Sequence, residues 1–507
     1  MPQNYGMNSS PNSNTQIKGE VSDFRRALPQ FCVVGVKNLI LLGWGFILGY
    51  PTILLPGLES KRDNSTAEPE FLLTNEEKSW IGSINLLCVP LGSLTSGLLM
   101  DALGKRRMMQ LLNFPMMAAW AIFYFSKNIT HIYFALGLSG MSGGLLEAPL
   151  LIYIADTVEP QYRGMLTAFG TGVVLGGVCL QFIMGSMLHW RTVAAISAIA
   201  PFVAFNAVFL VPESPLWLYQ KNRIQESQKS LQWLRGWVSF KAVETEFQGV
   251  IRAVEKLRAD KKNRPVKTWR NTLERFMKRG FILPFSLIFV SFIFQHFSGI
   301  TPLQTYAFDI LIFYRVPIDE YYATIFLGAA QVIGCLIGTV FIRSTGKRPL
   351  VFASFIGCGL CFFGLSMLSY LSEHVETNDI YRWLPFILLL LGTMLGHSGA
   401  KLFPWMLIGE IYPLDVRNVA AGISSAIGYL VGFVSNKTYI SLTSMFTLNG
   451  TFWIYSAVSV LGCVTLFFIL PETENKTLEH IQEFFTASKT KRPNQHDEKC
   501  NETNTNI

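Results

Sequence analysis

Charged residues are scarce in this chain, and the features of a small secreted domain are missing. Only 15% of the 507 residues are charged, whereas 50% are hydrophobic, and a soluble protein of this length would carry about a quarter charged residues. The eight cysteines lie mostly in apolar runs, one of which holds both Cys358 and Cys361. We therefore expect packed thiols rather than a disulfide framework, a redox motif or a zinc site. The composition indicates a polytopic membrane protein.

The sequence also lacks the signatures of several functional classes. It contains no phosphate-cradling glycine loop, nucleotide site, nucleophile motif or metal-ligand cluster, so no catalytic residue, metal or cofactor is predicted. The net charge of +8 is concentrated in alternate connections between apolar segments, which argues against nucleic-acid binding. Residues 1–30 are rich in Asn, Ser and Gln and lack the apolar core of a signal peptide, which predicts a disordered cytoplasmic tail.

Twelve apolar runs of about 20 residues are each long enough to cross about 30 Å of hydrocarbon as a helix. A long polar segment separates the sixth run from the seventh. The predicted domains are the tail over 1–30, a six-helix bundle over 31–211, a cytoplasmic helical linker over 212–280, a second bundle over 281–470 and a cytoplasmic tail over 471–507. Spans 1 to 12 are predicted at 31–55, 79–100, 108–126, 132–155, 165–187, 192–211, 281–304, 320–342, 350–371, 383–409, 419–441 and 451–470.

Lysine and arginine set the predicted orientation. The linker holds 16 Lys and Arg against seven Asp and Glu, and the connections after spans 2 and 8 are also basic. The positive-inside rule then places these connections and both termini in the cytoplasm. Under this topology the sequons at Asn64 and Asn449 fall outside, so both are candidate glycosylation sites.

One stretch of the linker has helical periodicity. Apolar residues recur at Phe247, Val250, Ile251, Val254 and Leu257, with charged residues between them, which predicts an amphipathic helix. Two placements fit this pattern. The helix either packs on the inner face of the protein or lies on the lipid surface, where its basic residues are also favourable.

Three inner-face motifs occur twice in the same order. Gly-Lys-Arg lies in the connections after spans 2 and 8, an acid and an arginine seven residues apart follow spans 4 and 10, and Pro-Glu follows spans 6 and 12. Repetition of three motifs at comparable offsets indicates two related six-helix bundles.

Together these motifs resemble those of the sugar-porter family of the major facilitator superfamily. The resemblance extends over about residues 30–485 and includes Gln295-His-Phe-Ser-Gly-Ile300, Pro404-Trp405 and the final Pro-Glu-Thr-x-x-Lys-Thr-Leu-Glu. The overall character is similar to the hexose and trehalose facilitators of animals. The resemblance implies an all-α membrane protein with twelve transmembrane helices in two pseudo-symmetric six-helix bundles, the major facilitator fold, and transport by alternating access.

The inner-face charges are predicted to form a gate in which arginines pair with acids at helix ends. Such a network forms when the bundles close on the cytoplasmic side and breaks when they open, so it biases the inward–outward equilibrium. The alternative is that the basic residues only set topology. Arg343 stands where the family has an acid, which predicts that the gate of the second half has weaker or different ion pairs. The predicted gating residues are Asp101, Gly104, Arg106, Asp156, Arg163, Glu213, Arg348, Glu410, Arg417 and Glu472.

The resemblance also implies a central cavity lined by spans 1, 4, 7 and 10, with contributions from 5, 8 and 11. Sugar binding needs neutral hydrogen-bonding groups and an aromatic face. Gln295, Tyr306, Gln331 and Trp405 match the family, whereas other cavity positions differ, so the likeness alone does not assign glucose as the cargo. The predicted substrate-binding residues are Glu147, Gln295, His296, Thr301, Tyr306, Gln331, His397, Lys401, Trp405 and Tyr429.

Lys401 lies inside an apolar segment, where a charge is energetically expensive. It precedes Glu410 by the same nine residues by which Glu147 precedes Asp156, so Lys401 and Glu147 are equivalent positions of the two repeats, each about 13.5 Å from the inner end of its helix. Three interpretations stay open. The two residues form an ion pair between the bundles, one of them binds a charged or polar group of the cargo, or the pair and nearby histidines carry a proton.

The predicted function is transmembrane transport of a sugar, such as a hexose, trehalose or a related polyol, by facilitated diffusion. Proton-coupled sugar porters have an Asp in span 1 after Gly-Tyr or Gly-Phe, where this chain has Gly49-Tyr50-Pro51. Proton-coupled symport and a sugar sensor with little flux are the alternatives. We expect a monomer in the plasma membrane whose partners are a small-molecule substrate and the lipid bilayer.

Overall fold

The computed structural model describes residues 22–59, 71–263, 277, 279–372, 379–412, 417–471 and 485. Within these ranges all regular secondary structure is helical. Ten helices are long and apolar enough to cross a membrane, and the last of them, Val419–Ile469, has 51 residues, which is enough for two spans. The 20-residue helix Ile84–Leu103 completes the set. The predicted all-α membrane fold with twelve spans is therefore confirmed.

The helices follow the predicted spans closely, with bends inside spans 3, 6, 7 and 10. Spans 11 and 12 form one run that turns at Thr447, whose φ of 59° and ψ of 171° are not helical. Spans 1 to 12 are Asp23–Glu59, Ile84–Leu103, Lys105–Phe125, Ile129–Thr157, Pro160–Met187, Trp190–Leu210, Arg279–Thr305, Glu320–Thr345, Lys347–Ser372, Asp379–Ser398 with Phe403–Glu410, and Arg417–Ile469 for the last two. Shorter helices are Asn75–Ile81, Ala307–Phe313, and Pro215–Gln220, Ile224–Leu234 and Phe240–Asn263 in the linker.

The predicted end of the N-terminal tail at residue 30 is wrong, because span 1 already begins at Asp23. The physical reason is a buried ion pair that holds this extra helical turn. The Arg26 guanidinium donates two hydrogen bonds of 2.9 Å to the carboxylate of Glu159, and both side chains are more than nine-tenths buried. Arg235 of the linker lies 3.6 Å from the same carboxylate, so Glu159 joins span 1, span 5 and the linker.

The turns after spans 2 and 8 share an unusual backbone conformation. Gly104 has φ 95° and ψ 163°, and Gly346 has φ 82° and ψ 168°; this region of conformational space is essentially restricted to glycine. A Cβ placed on Gly104 would lie 2.5 Å from Oε2 of Glu213. The matching turns support the internal duplication that the repeated motifs predict.

Glycines also let the spans within each half approach closely. A Cβ on Gly140 or Gly144 of span 4 would lie 2.0 Å from a backbone carbonyl oxygen of span 2. In the second half, a Cβ on Gly334 or Gly338 of span 8 would collide in the same way with the backbone of span 10. Helix association in a membrane relies on such close packing, since lipid supplies no hydrophobic driving force between helices.

The two halves meet where span 5 packs against span 8 and where span 2 packs against the helix that holds span 11. At the first contact, Gly328 lies against Phe182 and Cys179, with no room for a side chain. These two helix pairs form the most extensive contacts between the halves.

The linker helices form a small apolar core of their own. Phe247 of the predicted amphipathic helix is buried with Val243 and Leu231, and its ring lies edge-on to Tyr219, 5.9 Å away. Val254 is also buried. Phe247 is thus covered by the other linker helices, and packing of this helix on the inner face of the bundles stays a prediction.

We expect Gly104→Ala to destabilise the protein. The substitution forces an L-residue into a positive-φ conformation that is essentially restricted to glycine, which costs about 1–3 kcal/mol, and places its Cβ against the Glu213 carboxylate. Gly97→Ala is the matched control, because it lies in the same helix with open space around it. Thermal unfolding of the two purified variants in one detergent measures the effect. Equal melting temperatures for the two variants and the wild type would contradict this account of the turn.

Candidate functional site

Span 7 is interrupted in mid-membrane, and the interruption positions two of the predicted site residues. A π-helical turn runs over His296–Ile300, and Gly299 within it has φ 86°. A Cβ on Gly299 would lie 2.3 Å from the ring of Tyr455, so glycine is required there. Irregular turns of this kind free backbone and side-chain groups from the regular helical pattern and often occur at functional sites.

Two polar side chains converge on the hydroxyl of Thr301, directly after that turn. Nδ1 of His296 lies 2.9 Å from Thr301 Oγ1, and the Lys401 ammonium donates a hydrogen bond of 3.2 Å to the same oxygen. Nε2 of His296 is buried without a hydrogen-bond partner in the described part of the chain. The structure therefore brings together three predicted site residues from spans 7 and 10, which we call the Lys401 cluster.

Lys401 and Glu147 are both described, and they do not form an ion pair in this structure. The carboxylate of Glu147 accepts a hydrogen bond of 3.1 Å from Ser93 of span 2 and is also hydrogen-bonded to Tyr429 of span 11. The predicted pairing of Glu147 with Lys401 is thus wrong for this conformation, because hydroxyl groups from spans 2 and 11 hold the carboxylate instead. A lysine in the hydrophobic centre costs about 2.5–3.5 kcal/mol when isolated, so Lys401 needs another source of compensation.

A second polar group lies between spans 7, 8 and 10. Gln331, Thr393 and His397 line a narrow pocket together with Phe182 of span 5 and Ile300 of span 7. Nδ1 of His397 is 2.8 Å from the carbonyl oxygen of Thr393. Within the described residues, His397 Nε2, Thr393 Oγ1 and Gln331 Oε1 are buried without partners.

Gln295 is the most conspicuous unpaired polar side chain. It is fully buried, and neither its amide nitrogen nor its amide oxygen has a hydrogen-bond partner among the described residues. Buried polar groups are nearly always paired, and leaving one unpaired costs about 1–3 kcal/mol. These unpaired groups on spans 7, 8 and 10 are therefore arranged for hydrogen bonds to water or to a polar cargo.

An aromatic group borders the polar residues. The ring centroid of Trp405 is 5.0 Å from that of Phe292 and 5.1 Å from that of Tyr429. Trp405 is only partly buried, so part of its surface remains open to a ligand. An aromatic surface beside neutral hydrogen-bonding groups is what the apolar side of a sugar ring requires.

Tyr306 belongs to a contact between the outer ends of the two halves rather than to the polar site. Its hydroxyl donates a hydrogen bond of 3.2 Å to the carbonyl oxygen of Asn436, and its ring stacks on Tyr439 at 4.5 Å. The Asn436 amide donates in turn to the carbonyl oxygen of Gly82, 2.8 Å away in the other half. The predicted role of Tyr306 in substrate binding is not supported, because these partners cover the residue.

A charged group extends the same outer contact. Lys437 of span 11 forms an ion pair of 2.6 Å with Glu76 and lies 4.1 Å from the ring centroid of Trp80. Glu76 and Trp80 belong to the short helix Asn75–Ile81, which Thr74 caps with a capping box. The hydrogen bond from Lys437 lowers the pKa of the Glu76 carboxyl. We call Glu76, Trp80 and Lys437 the outer latch.

On the inner face, the predicted charge network exists in the first half but with different partners. Lys105, rather than Arg106, pairs with Asp156, and Ser214 donates a 2.5 Å hydrogen bond to the same carboxylate. Glu213 accepts hydrogen bonds of 3.1 Å from the backbone N–H groups of Lys105 and Arg106, where it caps the inner end of span 3.

The predicted ion pair of Arg106 is therefore corrected. The Arg106 guanidinium donates to the carbonyl oxygens of Val208 and Phe209 at the end of span 6. Arg348 similarly donates a 2.5 Å hydrogen bond to the carbonyl oxygen of Phe467 at the end of span 12. Carbonyl groups at a helix end lack intrahelical partners and carry partial negative charge. Equivalent arginines therefore donate hydrogen bonds to the last carbonyl groups of equivalent helices in both halves.

Several predicted residues cannot be assigned partners. The side chains of Asp101, Arg163, Glu410 and Arg417 are not among those described, and Glu472 and the sequon at Asn64 lie outside the described residues. Asn449 lies in the first turn of span 12, directly after Thr447, and is partly buried. Glycosylation at both sequons stays a prediction.

Sequence reasoning missed several residues that the structure places at the two contacts. Asn436, Lys437 and Trp80 form the outer contact, and Thr393 borders the pocket. A lysine and a tryptophan near membrane-span ends normally indicate only the water interface, so nothing in the sequence marked them as partners. Glu159 had a clearer signal, since it is an acid at the start of a helix among basic neighbours.

Comparison with known proteins agrees with this architecture. A family model described as "Sugar (and other) transporter" matches residues 39–485. The facilitated trehalose transporter Tret1 of Apis mellifera ligustica is 28% identical over 474 residues, which cover 94% of this chain and 91% of that protein. The protein of the same name from Drosophila erecta is 30% identical over 441 residues, or 86% of this chain, which spans only 50% of that longer relative.

Solved structures also include similar folds. The inward-open conformation of the xylose transporter XylE from E. coli superposes with a TM-score of 0.69 at 18% identity, over 90% of this chain and 99% of that one. This likeness establishes the fold. Since the family model covers most of the sequence, the chain belongs to the family of sugar (and other) transporters.

Proposed function

We propose that this protein carries a sugar or a related polyol across a membrane by facilitated diffusion. The observation that carries the proposal is the set of buried, unpaired polar groups on spans 7, 8 and 10 beside the partly open Trp405. Family membership supports it, as does the naming of two similar proteins as facilitated trehalose transporters.

The residues proposed to bind cargo are those whose hydrogen-bonding groups remain available. Gln295 and Gln331 supply neutral amide groups, and His296 and His397 each supply one imidazole nitrogen. Trp405 supplies the aromatic face. Thr301 and Lys401 complete the site at the break in span 7, whereas Glu147 and Tyr429 form its border with the first half.

The mechanism proposed is alternating access around this site. In this structure the outer ends of the halves are joined by the outer latch and by backbone contacts, such as the 2.8 Å hydrogen bond from Thr52 to the carbonyl oxygen of Gln304. The inner-face ion pairs described above lie within the first half and the linker. This arrangement fits a conformation that is closed to the outside.

Several finer features belong to the same proposal. Both termini and the linker lie in the cytoplasm according to the positive-inside rule, the membrane is the plasma membrane, and the protein acts as a monomer. The sequons at Asn64 and Asn449 then face outwards and accept glycans.

Uptake into proteoliposomes tests the function. We expect saturable uptake of at least one member of a labelled panel of hexoses, disaccharides and polyols, with no dependence on a pH gradient. Gradient-driven accumulation would instead support proton-coupled symport. Binding without saturable flux for any cargo would contradict facilitated transport and favour a sensor.

We expect Gln331→Leu to raise the KM of that uptake about 2- to 10-fold, because it removes one neutral hydrogen bond to the cargo. Gln232→Leu is the matched control. The amide nitrogen of Gln232 donates a 3.2 Å hydrogen bond to the carbonyl oxygen of Val238 within the linker, so its loss alters the linker and leaves KM unchanged. Initial rates over a range of cargo concentrations measure both variants. Equal KM values for Gln331→Leu and wild type would show that Gln331 does not bind the cargo.

We expect Lys437→Met to shift the conformational equilibrium towards the outward-open state. The variant removes both the ion pair with Glu76 and the cation–π contact with Trp80, and loss of the cation–π contact alone corresponds to roughly a two- to fivefold change in the equilibrium constant. Distances between spin labels at Lys127 and Tyr322, both exposed near the outer ends of the two halves, report the populations.

Lys78→Met is the control for this measurement. Lys78 forms an ion pair of 2.7 Å with Glu59, which lies in the same half, so breaking it leaves the contact between the halves intact. An equal change in the distance distribution for Lys78→Met and Lys437→Met would contradict the latch.

A further inference from the structure

Lys401 places a positive charge in the proposed cargo site. Among the described residues, no carboxylate lies within ion-pair distance of its ammonium group, which donates a hydrogen bond of 3.2 Å to the hydroxyl of Thr301. The acid at the equivalent position of the other repeat, Glu147, is held by Ser93 and Tyr429. A buried cation in a membrane protein normally pairs with an acid or binds a ligand.

The surroundings of Lys401 consist of neutral hydrogen-bonding groups. His296 contacts the same Thr301 hydroxyl at 2.9 Å, and its Nε2 is buried and unpaired. His397, which is 1% exposed, also has an unpaired Nε2. The Lys401 ammonium interacts electrostatically with both imidazoles. Gln295 adds a buried amide without a partner. The site thus combines one fixed cation with several neutral groups that match hydroxyls.

We propose that the cargo is a sugar acid, a polyol with one carboxylate that binds the Lys401 ammonium. This inference rests on the proposed transport function and names the substrate class of the same site. A carboxylate carries one negative charge and is matched by one lysine, whereas a phosphate monoester carries about −1.5 to −2 near neutral pH and would leave charge uncompensated. The hydroxyls of the cargo meet Gln295, Gln331 and the two imidazoles, and Trp405 covers its apolar side.

The first test uses the wild-type protein and a pair of nearly isosteric ligands, one charged and one neutral. D-glucuronate and D-glucuronamide differ only in the replacement of a carboxylate oxygen by an NH2 group, and we expect the acid to bind about 10- to 100-fold more tightly, as a hydrogen bond to a charged group allows. Binding is measured by thermal stabilisation of the purified protein and by competition for uptake. Glucose 6-phosphate tests whether the site recognises a phosphate group instead of a carboxylate, and we expect it to bind less tightly than glucuronate. Equal affinity for the acid and the amide, or tightest binding of the phosphate, would overturn the inference.

The second test assigns the preference to Lys401. Lys401→Met is expected to abolish the difference between glucuronate and glucuronamide, Lys401→Arg to retain it, and Lys127→Met, which makes the same chemical change on the exposed outer side, to leave it unchanged. Size-exclusion chromatography establishes that each variant is folded. A preference for the acid that survives in folded Lys401→Met would overturn the assignment.

Failure of this inference and failure of the transport function give different results. Saturable uptake of neutral sugars with no preference for acids overturns the sugar-acid cargo and leaves facilitated sugar transport in place. No binding and no uptake of any neutral or acidic sugar overturns both. Glucuronate uptake that increases when the vesicle interior is made positive supports the inference, since a carried carboxylate moves net charge.

Discussion

Hydrocarbon offers no hydrogen-bond partner, and this constraint determines how the whole protein is built. Each polar group inside the bilayer must find its partner within the protein or bind water or cargo in a cavity. Many hydroxyls in the spans donate to a carbonyl oxygen of the preceding helical turn, as Thr157 and Ser142 do. Against that background, the unpaired amide of Gln295 and the unpaired Oε1 of Gln331 are exceptions within the described residues. They lie in the same region of the second half as the Lys401 cluster, and this clustering supports the proposed cargo site.

The two halves share a backbone plan but divide the chemistry unequally. The glycine turns at Gly104 and Gly346 have nearly the same dihedral angles, and Arg106 and Arg348 close equivalent helices through carbonyl groups. The groups proposed to bind cargo, however, belong mostly to the second half, where span 7 is broken at Gly299. The first half supplies mainly the wall of the site and the ion pairs on the inner face. A repeat with equal geometry and unequal side chains lets one half hold the cargo while the other moves against it.

The sequence predicts the twelve spans and the duplication because both depend on local features, namely the length of apolar runs and the spacing of glycines and charges. Partner choice is harder to predict, since neighbouring residues compete for one acid. Lys105 takes Asp156 although Arg106 is adjacent, because the helix that begins after Gly104 directs Arg106 towards the end of span 6. The family resemblance predicts that Tyr306 lines the cavity. Whether this residue faces the cargo or the outer contact depends on the orientation of one half relative to the other. Local patterns in one sequence do not predict the relative orientation of the two halves. They do not predict the distance between Glu147 and Lys401 either, because that distance depends on the same orientation.

The hydrogen bond between Glu147 and Tyr429 connects the halves at the level of the cargo site. Tyr429 also contacts Trp405, whose ring borders the available polar groups, so one side chain touches both the wall of the first half and the aromatic face of the site. The Glu147 carboxylate also accepts a hydrogen bond from Ser93 within its own half, so it has partners on both sides of the division between the halves. Buried acids in a membrane need such partners, because an unpaired charge is expensive there. The contact between the halves is thereby linked to the polar site through Glu147, Tyr429 and Trp405.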